Sequence, residues 1–309
     1  MLTELNNRDN LNKYRYLLVD NLVVLNSFSP LSRDSLLERF GEDKPFGEKK
    51  LTQVLRTDLD YDQSICPTLI KLADPNDLFA DWILDEISQQ AEIECLWSKR
   101  YICAYIISDL KPSVLAKQLI KIGNNISQTL RQPYYPFFEP FRMQFLNEVG
   151  SKEDNAWLKA QFSQIENYYY PSIDGGKFIR FTADSSLETP ISWSPNYCQR
   201  LKNFRMIRTL VNAWSKNRSQ FDEQKNLSLS ENVILQSTQL VEQAYQLGLT
   251  DATDILFWGL NGLRYQQVFT EHPQILEQIR KAQQQPGTFS THVINANINF
   301  ESLSLSNKE

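Results

Sequence analysis

Arg200, Lys202, Arg205 and Arg208, followed by Lys216 and Arg218, stand in a stretch from Thr189 to Phe221 that holds no Asp or Glu. Cations without a local carboxylate form either a solvated basic helix face, partly satisfied by carboxylates of the first lobe, or a docking surface. The planar guanidinium fork suits an acidic partner in the second case. Catalytic groups are sparse by comparison. His272 and His292 come late and apart, the first directly before Pro273, so acid–base or metal chemistry has little to draw on. The chain has no GxSxG elbow, no phosphate-binding Walker loop and no HExxH pair. Asp58-Leu59-Asp60-Tyr61-Asp62 looks like half of a calcium loop, but Gln63 stands where the sixth position needs glycine and Leu69 where the twelfth needs glutamate. It reads as a solvated acidic loop. Cys66, Cys95, Cys103 and Cys198 make no CxxC pair and have no histidine nearby in sequence, which predicts buried thiols without metal or redox work. Gly175-Gly176 reads as a turn. The expectation is a protein without catalytic, metal or cofactor residues.

Composition narrows the class further. The chain of 309 residues is 41% hydrophobic and 12% aromatic, enough for one large domain or two ordinary ones. A net charge of −5 argues against a nucleic-acid binder, which needs a basic surface to contact phosphates. The opening residues lack the basic-then-apolar order of a signal peptide, and no apolar run approaches the ~20 residues of a membrane span. A cytoplasmic protein is expected.

The elements that must carry these residues change character along the chain. Tyr14 to Asn21, Thr68 to Leu72 and Tyr101 to Ser108 are compact apolar runs and read as buried strands. Asp77 can cap a helix with Phe79, Ile83 and Ile87 inward, ending by Gln90. Pro112 opens another with Leu115 and Leu119 inward, stopped at Gly123. Strand, helix, strand, helix predicts an α/β lobe with a small mixed sheet over residues 1–187, of which 150–187 serve as connection. Residues 188–285 read as an all-α lobe. Ser194 and Pro195 start its first helix, with Leu201, Phe204, Ile207, Val211 and Trp214 on one face. Ser228-Leu229-Ser230-Glu231 is a capping box for a second, ended by Gly248. Thr250 caps a third, carrying Ile255, Trp258, Gly259, Gly262 and Leu263, and Pro273 opens a last one with Leu276 and Ile279. Gln283 to Gly287 mark the end of the globular part. In the tail, 286–309, Ile294, Ala296, Ile298 and Phe300 alternate with asparagines. That segment reads as either a disordered terminus or an extended strand that docks on a sheet edge.

Several of these segments also resemble a known family. Leu17-Leu18-Val19-Asp20, Pro67-Thr68-Leu69-Ile70-Lys71-Leu72, Ala104-Tyr105-Ile106-Ile107-Ser108 and Pro136 through Arg142 are similar to motifs of the two-lobed effector chaperone/adaptor family of bacterial type VI secretion. Ala244 to Thr250 and His272-Pro273 are similar to its helical-lobe motifs. Against the family's arginine-aromatic-aspartate-proline-arginine segment, Glu139 replaces the aspartate, Pro136 the first arginine, and Arg142 comes one place late. The resemblance covers most of residues 14–285. It implies structural roles for Asp20, Pro67, Glu139, Pro140, Arg142, Gly248 and Pro273. It further implies an adaptor, not an enzyme, that binds a cognate toxic effector and loads it onto the VgrG spike, without nucleic acid or membrane insertion. Two other classes stay open: an immunity protein that plugs a toxin's active site, and a degenerate hydrolase or nuclease.

Overall fold

A computed structural model describes residues 10–40, 51–77, 82–95, 99–175, 177–183, 192–221 and 232–298. By internal contacts the chain divides into two units, Met1–Ser194 and Pro195–Glu309.

The first unit is an α/β body built on a six-stranded sheet in the order β2-β3-β1-β4-β5-β6. The strands are β1 (Tyr14–Val19), β2 (Leu51–Gln53), β3 (Thr68–Ala73), β4 (Ile102–Ser108), β5 (Asn167–Pro171) and β6 (Phe178–Thr182). Every neighbouring pair is antiparallel, whereas the sequence pattern predicted a mixed sheet. The reason is a split β-α-β unit: β3 runs through α2 (Trp82–Ile93) into β4, but β1 lies between them. β3 and β4 therefore point the same way without touching. Both sheet faces are covered, which explains why β1 and β4 are near-continuous apolar runs instead of alternating ones. Leu17, Val19, Ile70, Leu72, Tyr105 and Ile107 face Ile83, Leu84 and Ile87 of α2 and Leu36 of α1 (Arg33–Phe40). On the opposite face, Tyr168 packs against Phe137 at 6.3 Å and Phe162 at 5.3 Å between ring centroids, and Phe162 meets Phe181 at 4.9 Å.

Three sequence expectations in this unit are corrected. α3 (Pro112–Leu130) runs through Gly123 and ends instead at Arg131, whose φ of 54° is left-handed. Gly123 is needed for packing: a Cβ there would lie 2.4 Å from Tyr134 Cζ. Residues 150–187 are no mere connection, since they supply α5 (Lys152–Gln161), β5 and β6. α2 continues to Ile93, past Gln90. Phe79 lies outside the described residues, and Asp77 ends just before that gap.

The second unit is helical throughout its described residues: α6 (Pro195–Lys202), α7 (Phe204–Phe221), α8 (Val233–Gln246), α9 (Ala252–Tyr265), α10 (Gln267–Thr270), α11 (Pro273–Gln284) and α12 (Phe289–Asn295). The predicted first helix is two, interrupted at Asn203, yet Leu201, Phe204, Ile207 and Val211 are buried as their spacing implies and Trp214 half-buried. Small residues let the helices approach: Cβ atoms at Gly259 and Gly262 would fall 2.5 Å from Leu210 and 2.4 Å from Leu240 side-chain carbons. The capping box at 228–231 lies outside the described residues. Asp251, not Thr250, caps α9 by accepting from Thr253 N, because its carboxylate reaches that donor at 2.8 Å.

The tail shows the largest departure. Gln283 to Gly287 do not end the globular part, for Phe289 begins α12 and is fully buried against Phe257 at 5.3 Å. Asp254, itself 2% exposed, accepts from the backbone N–H groups of Gly287 at 2.7 Å and Phe289 at 2.9 Å and so anchors the turn into α12. A helical register buries Val293 and leaves Ile294 exposed, opposite to a strand's alternation. Phe300 lies outside the described residues. No helix among the described residues is long and apolar enough to cross a membrane.

Candidate functional site

Two groups of residues were singled out from sequence, and they have different fates. The first, in the α/β unit, gathers where β1 ends and β4 begins. β1 delivers Asp20 to a loop where its backbone N–H donates to Tyr101 O at 2.9 Å and its carboxylate accepts from Leu22 N at 3.0 Å. It is 5% exposed, and burial pushes its carboxyl upward despite the positive charges of Arg56 and Lys99; the charge of Glu139 pushes the same way. Glu139, also 5% exposed, accepts from Arg142 N at 3.2 Å and thereby caps α4 (Pro140–Val149). Pro140 occupies the first helical position, where its missing N–H costs nothing. This corner is loop to helix, since the aromatic residues before it are not in a strand. Arg142 lies with its guanidinium carbon 5.0 Å from the Tyr135 ring centroid.

Arg56 was missed by sequence reading and ties this region together. Its Nε and Nη2 donate to Asp58 at 3.0 and 2.6 Å, and the guanidinium carbon lies 5.1 Å from the Tyr134 ring and 5.7 Å from that of Phe138. A cation held between aromatic rings and a carboxylate keeps its charge although buried. The Asp58 to Asp62 segment is thus partly consumed in structure: Asp58 binds Arg56 and Asp62 caps a short 3-10 turn at Gln63–Ile65. Pro67 precedes β3 and offers its carbonyl to Val54 N at 2.8 Å.

Cys103 sits fully buried within the field of Asp20, Glu139 and Glu94, and burial first, then those carboxylates, push its thiol well above the ordinary range. A shift in that direction disfavours the thiolate that nucleophilic chemistry requires. Cys66 is buried as expected, while Cys95 and Cys198 are only half-buried, and none of the four is joined in a disulfide. Glu94 accepts from Tyr101 N at 2.7 Å and Ile102 N at 3.0 Å, and Arg100 donates to Ser172 O at 2.6 Å and Ile173 O at 2.7 Å. These charged groups satisfy main chain at strand ends. Among the described residues no group of three or more His, Cys, Asp or Glu side chains could hold a metal ion.

The second group, the cations of the helical unit, is not one surface of one helix. Arg200 and Lys202 lie on α6, Arg205 and Arg208 on α7, across the Asn203 break. Arg200 forms a two-point ion pair with Glu242 of α8, Nε to Oε1 at 2.8 Å and Nη2 to Oε2 at 3.4 Å. Its partner, distant in sequence, is therefore supplied by its own unit and not by the first lobe as expected, because α8 brings Glu242 within reach of α6. Arg208 stands 6.0 Å from the Phe204 ring centroid, while Lys202 and Arg205 are exposed. Side chains beyond Asn217 on α7, Arg218 included, are outside the description. Gly248, with φ of 76°, follows the end of α8, and Pro273 opens α11 behind His272. His292 lies on α12.

A third feature carries no motif and escaped sequence reading altogether. A groove of about 480 Å³ runs between α8 and the α9–α10 junction, lined by Gln236, Gln239, Gln243, Gln266 and Gln267 with Leu240 and Gly262 among the remaining lining. Scattered glutamines give no periodic signal, so only their convergence in space marks them.

Comparison with protein-family models, curated proteins and solved structures gives no match to this chain.

Proposed function

We propose that this protein is a type VI secretion adaptor that binds a cognate toxic effector and loads it onto the VgrG spike. The observation that supports it is the arrangement around α4: Glu139 as cap, Pro140 as first residue, Arg142 on Tyr135, with Asp20 from the end of β1 in the field of Glu139. Residues that resemble separate family motifs thus meet in one buried corner, as a shared scaffold requires. In that corner they act on backbone and on each other, and burial of the neighbouring Cys103 disfavours its thiolate. Such an arrangement favours a binding scaffold over a catalyst.

The partner surface in this reading includes Lys202, Arg205 and Arg208. A standard interface buries about 1,600 Å² and draws its affinity from a few aromatic or arginine anchors. The test is co-purification with the toxin encoded beside it, together with deletion in the native host. A stable complex, and loss of that toxin's delivery while the tube protein is still secreted, is the expected result. Absence of a complex, or loss of all secretion, overturns the proposal. Rescue of toxin-exposed cells by this protein alone, without any spike protein, selects the immunity reading instead.

A further inference from the structure

Glu148 occupies a poor environment for a carboxylate. It stands in the last turn of α4, where unpaired helix carbonyls oppose a negative charge, and it is half-buried. Among the described residues its hydrogen-bond partner is neutral: Gln144 Nε2 donates to Oε1 at 2.7 Å, and no cation pairs with it. Gln144 is 6% exposed and spends its other end on main chain, since its Oε1 accepts from Ile173 N at 2.8 Å. One buried amide therefore joins the Glu148 carboxyl to the turn that follows β5.

That turn is itself well tied. Ser172 N donates to Lys177 O at 2.8 Å and Gly175 N to Ser172 O at 3.0 Å, while Arg100 holds the carbonyls of Ser172 and Ile173. Its far side closes on the end of α2, where a Cβ at Gly175 would lie 2.5 Å from Cys95 Cβ. Ile173 N is the point at which α4 grips it.

We propose that Glu148 and Gln144 form a proton-operated latch, which holds the turn at 172–175 while Glu148 is neutral and releases it when Glu148 ionises. A neutral carboxyl accepts from Gln144 and leaves the amide oxygen aimed at Ile173. An ionised one gains from the same hydrogen bond but is desolvated without a cation, and from a half-buried position a change of rotamer takes it to water. Gln144 then loses one of the two bonds that orient its amide, and Ile173 N loses its acceptor. Burial outweighs the hydrogen bond from Gln144 and raises the carboxyl from 4.5 to about 7. In the open turn the carboxyl regains its ordinary value, so the closed form is fully favoured below about pH 4.5 and weakens as pH rises to about 7.

The neighbouring titratable groups have other duties. Tyr170 on β5 faces Glu148, and burial pushes its hydroxyl upward, which keeps it neutral. On α5, Asp154 is engaged with Ser151 and Ser194, and Lys152 and Glu153 are exposed. Asp174 accepts from Ser172 Oγ within the turn. Glu94 is the competitor, because burial raises its carboxyl as well and it acts on Arg100, which holds the same turn. The latch does not depend on the secretion reading.

The test follows the amide of Ile173 and the side-chain amide of Gln144 by NMR in the full chain from about pH 5 to about pH 8.5. Both should titrate together with a midpoint near 7. Protection of the Ile173 amide from hydrogen exchange, corrected for the intrinsic rate, should fall at least about tenfold over that range. Glu148→Gln should abolish both effects and keep Ile173 protected throughout. No titration of these amides, or a titration that persists in Glu148→Gln and so belongs to Glu94, overturns the proposal. So does a loss of protection shared equally by β4 and β5, which is unfolding of the whole sheet. A check that needs no variant is the carboxyl 13C spectrum of the native chain: a Glu carboxyl must titrate with the midpoint read at Ile173, and its absence overturns the latch.

Discussion

The α/β unit and the helical unit treat charge in opposite ways. The first buries Arg15, Asp20, Arg56, Lys71, Glu94, Arg100, Glu139 and Asp154, whereas Asp254 is the only buried Asp, Glu, Lys or Arg among the described residues of the second. The cause is geometric. A helix satisfies its own backbone except at its ends, while strands that enter buried loops leave N–H and C=O groups in need of partners. Arg15 donates to Asn10 O at 3.1 Å and Asp74 O at 3.2 Å, Arg100 and Glu94 serve the ends of β4 and β5, and Asp154 binds Ser194 N at 2.8 Å. Even Asp254 obeys this rule, since it holds the turn into α12. Charge is buried here where irregular chain meets a core, so a buried charge alone does not mark a catalytic site.

The comparison breaks most visibly at Arg100. Arg100→Ala removes a donor from the carbonyls of Ser172, Ile173 and Cys95 and should cost about 3 kcal/mol or more, read from urea unfolding of the α/β unit. A cost under about 1 kcal/mol removes the argument that these charges serve the main chain. Glu148 gives the next largest effect. Burial pushes its carboxyl from 4.5 up to about 7, against the hydrogen bond from Gln144. With the folded value raised, its favourable contribution is complete below about pH 4.5 and disappears as pH rises to about 7. Relative to Glu148→Gln, the native chain should therefore lose about 2–3 kcal/mol over that window, measured as the difference between two stability–pH curves. Asp254→Ala should cost about 1–2 kcal/mol and speed hydrogen exchange in 287–295. Unchanged exchange there means that Phe289 alone holds α12. Arg200→Ala is the smallest, under about 1 kcal/mol, because the pair with Glu242 is partly exposed at 28% and 26%.

What the sequence disclosed follows the same division. β1, β3 and β4 were legible as apolar runs, and Pro195, Pro273 and Gly248 as helix punctuation, because these signals are local. β5 was missed in Asn167-Tyr168-Tyr169-Tyr170-Pro171, where a short aromatic run between a helix and a turn carries no period. Gly123 was misread since glycine ends helices more often than it receives a tyrosine ring. The alternation of Ile294, Ala296 and Ile298 failed as a strand because burial of Phe289 and the grip of Asp254 fix a helical register. For the cations, the absence of local carboxylates was read correctly, but Glu242, distant in sequence, supplies Arg200's partner. Arg56 and the glutamine groove depend on convergence that no spacing rule encodes.

The central position of β1 also sets the order in which the chain can acquire structure. Tyr16 must pair with Lys71 on one side and Ile106 on the other, so β1, which precedes β3 and β4 in the chain, waits for both. Closing such distant contacts is slow, while α7, α8 and α9 pack through neighbours close in sequence. During synthesis the apolar β1 can pair with β3 but lacks its second neighbour until β4 has emerged, an interval in which an unpaired strand edge exposes the nascent chain to aggregation.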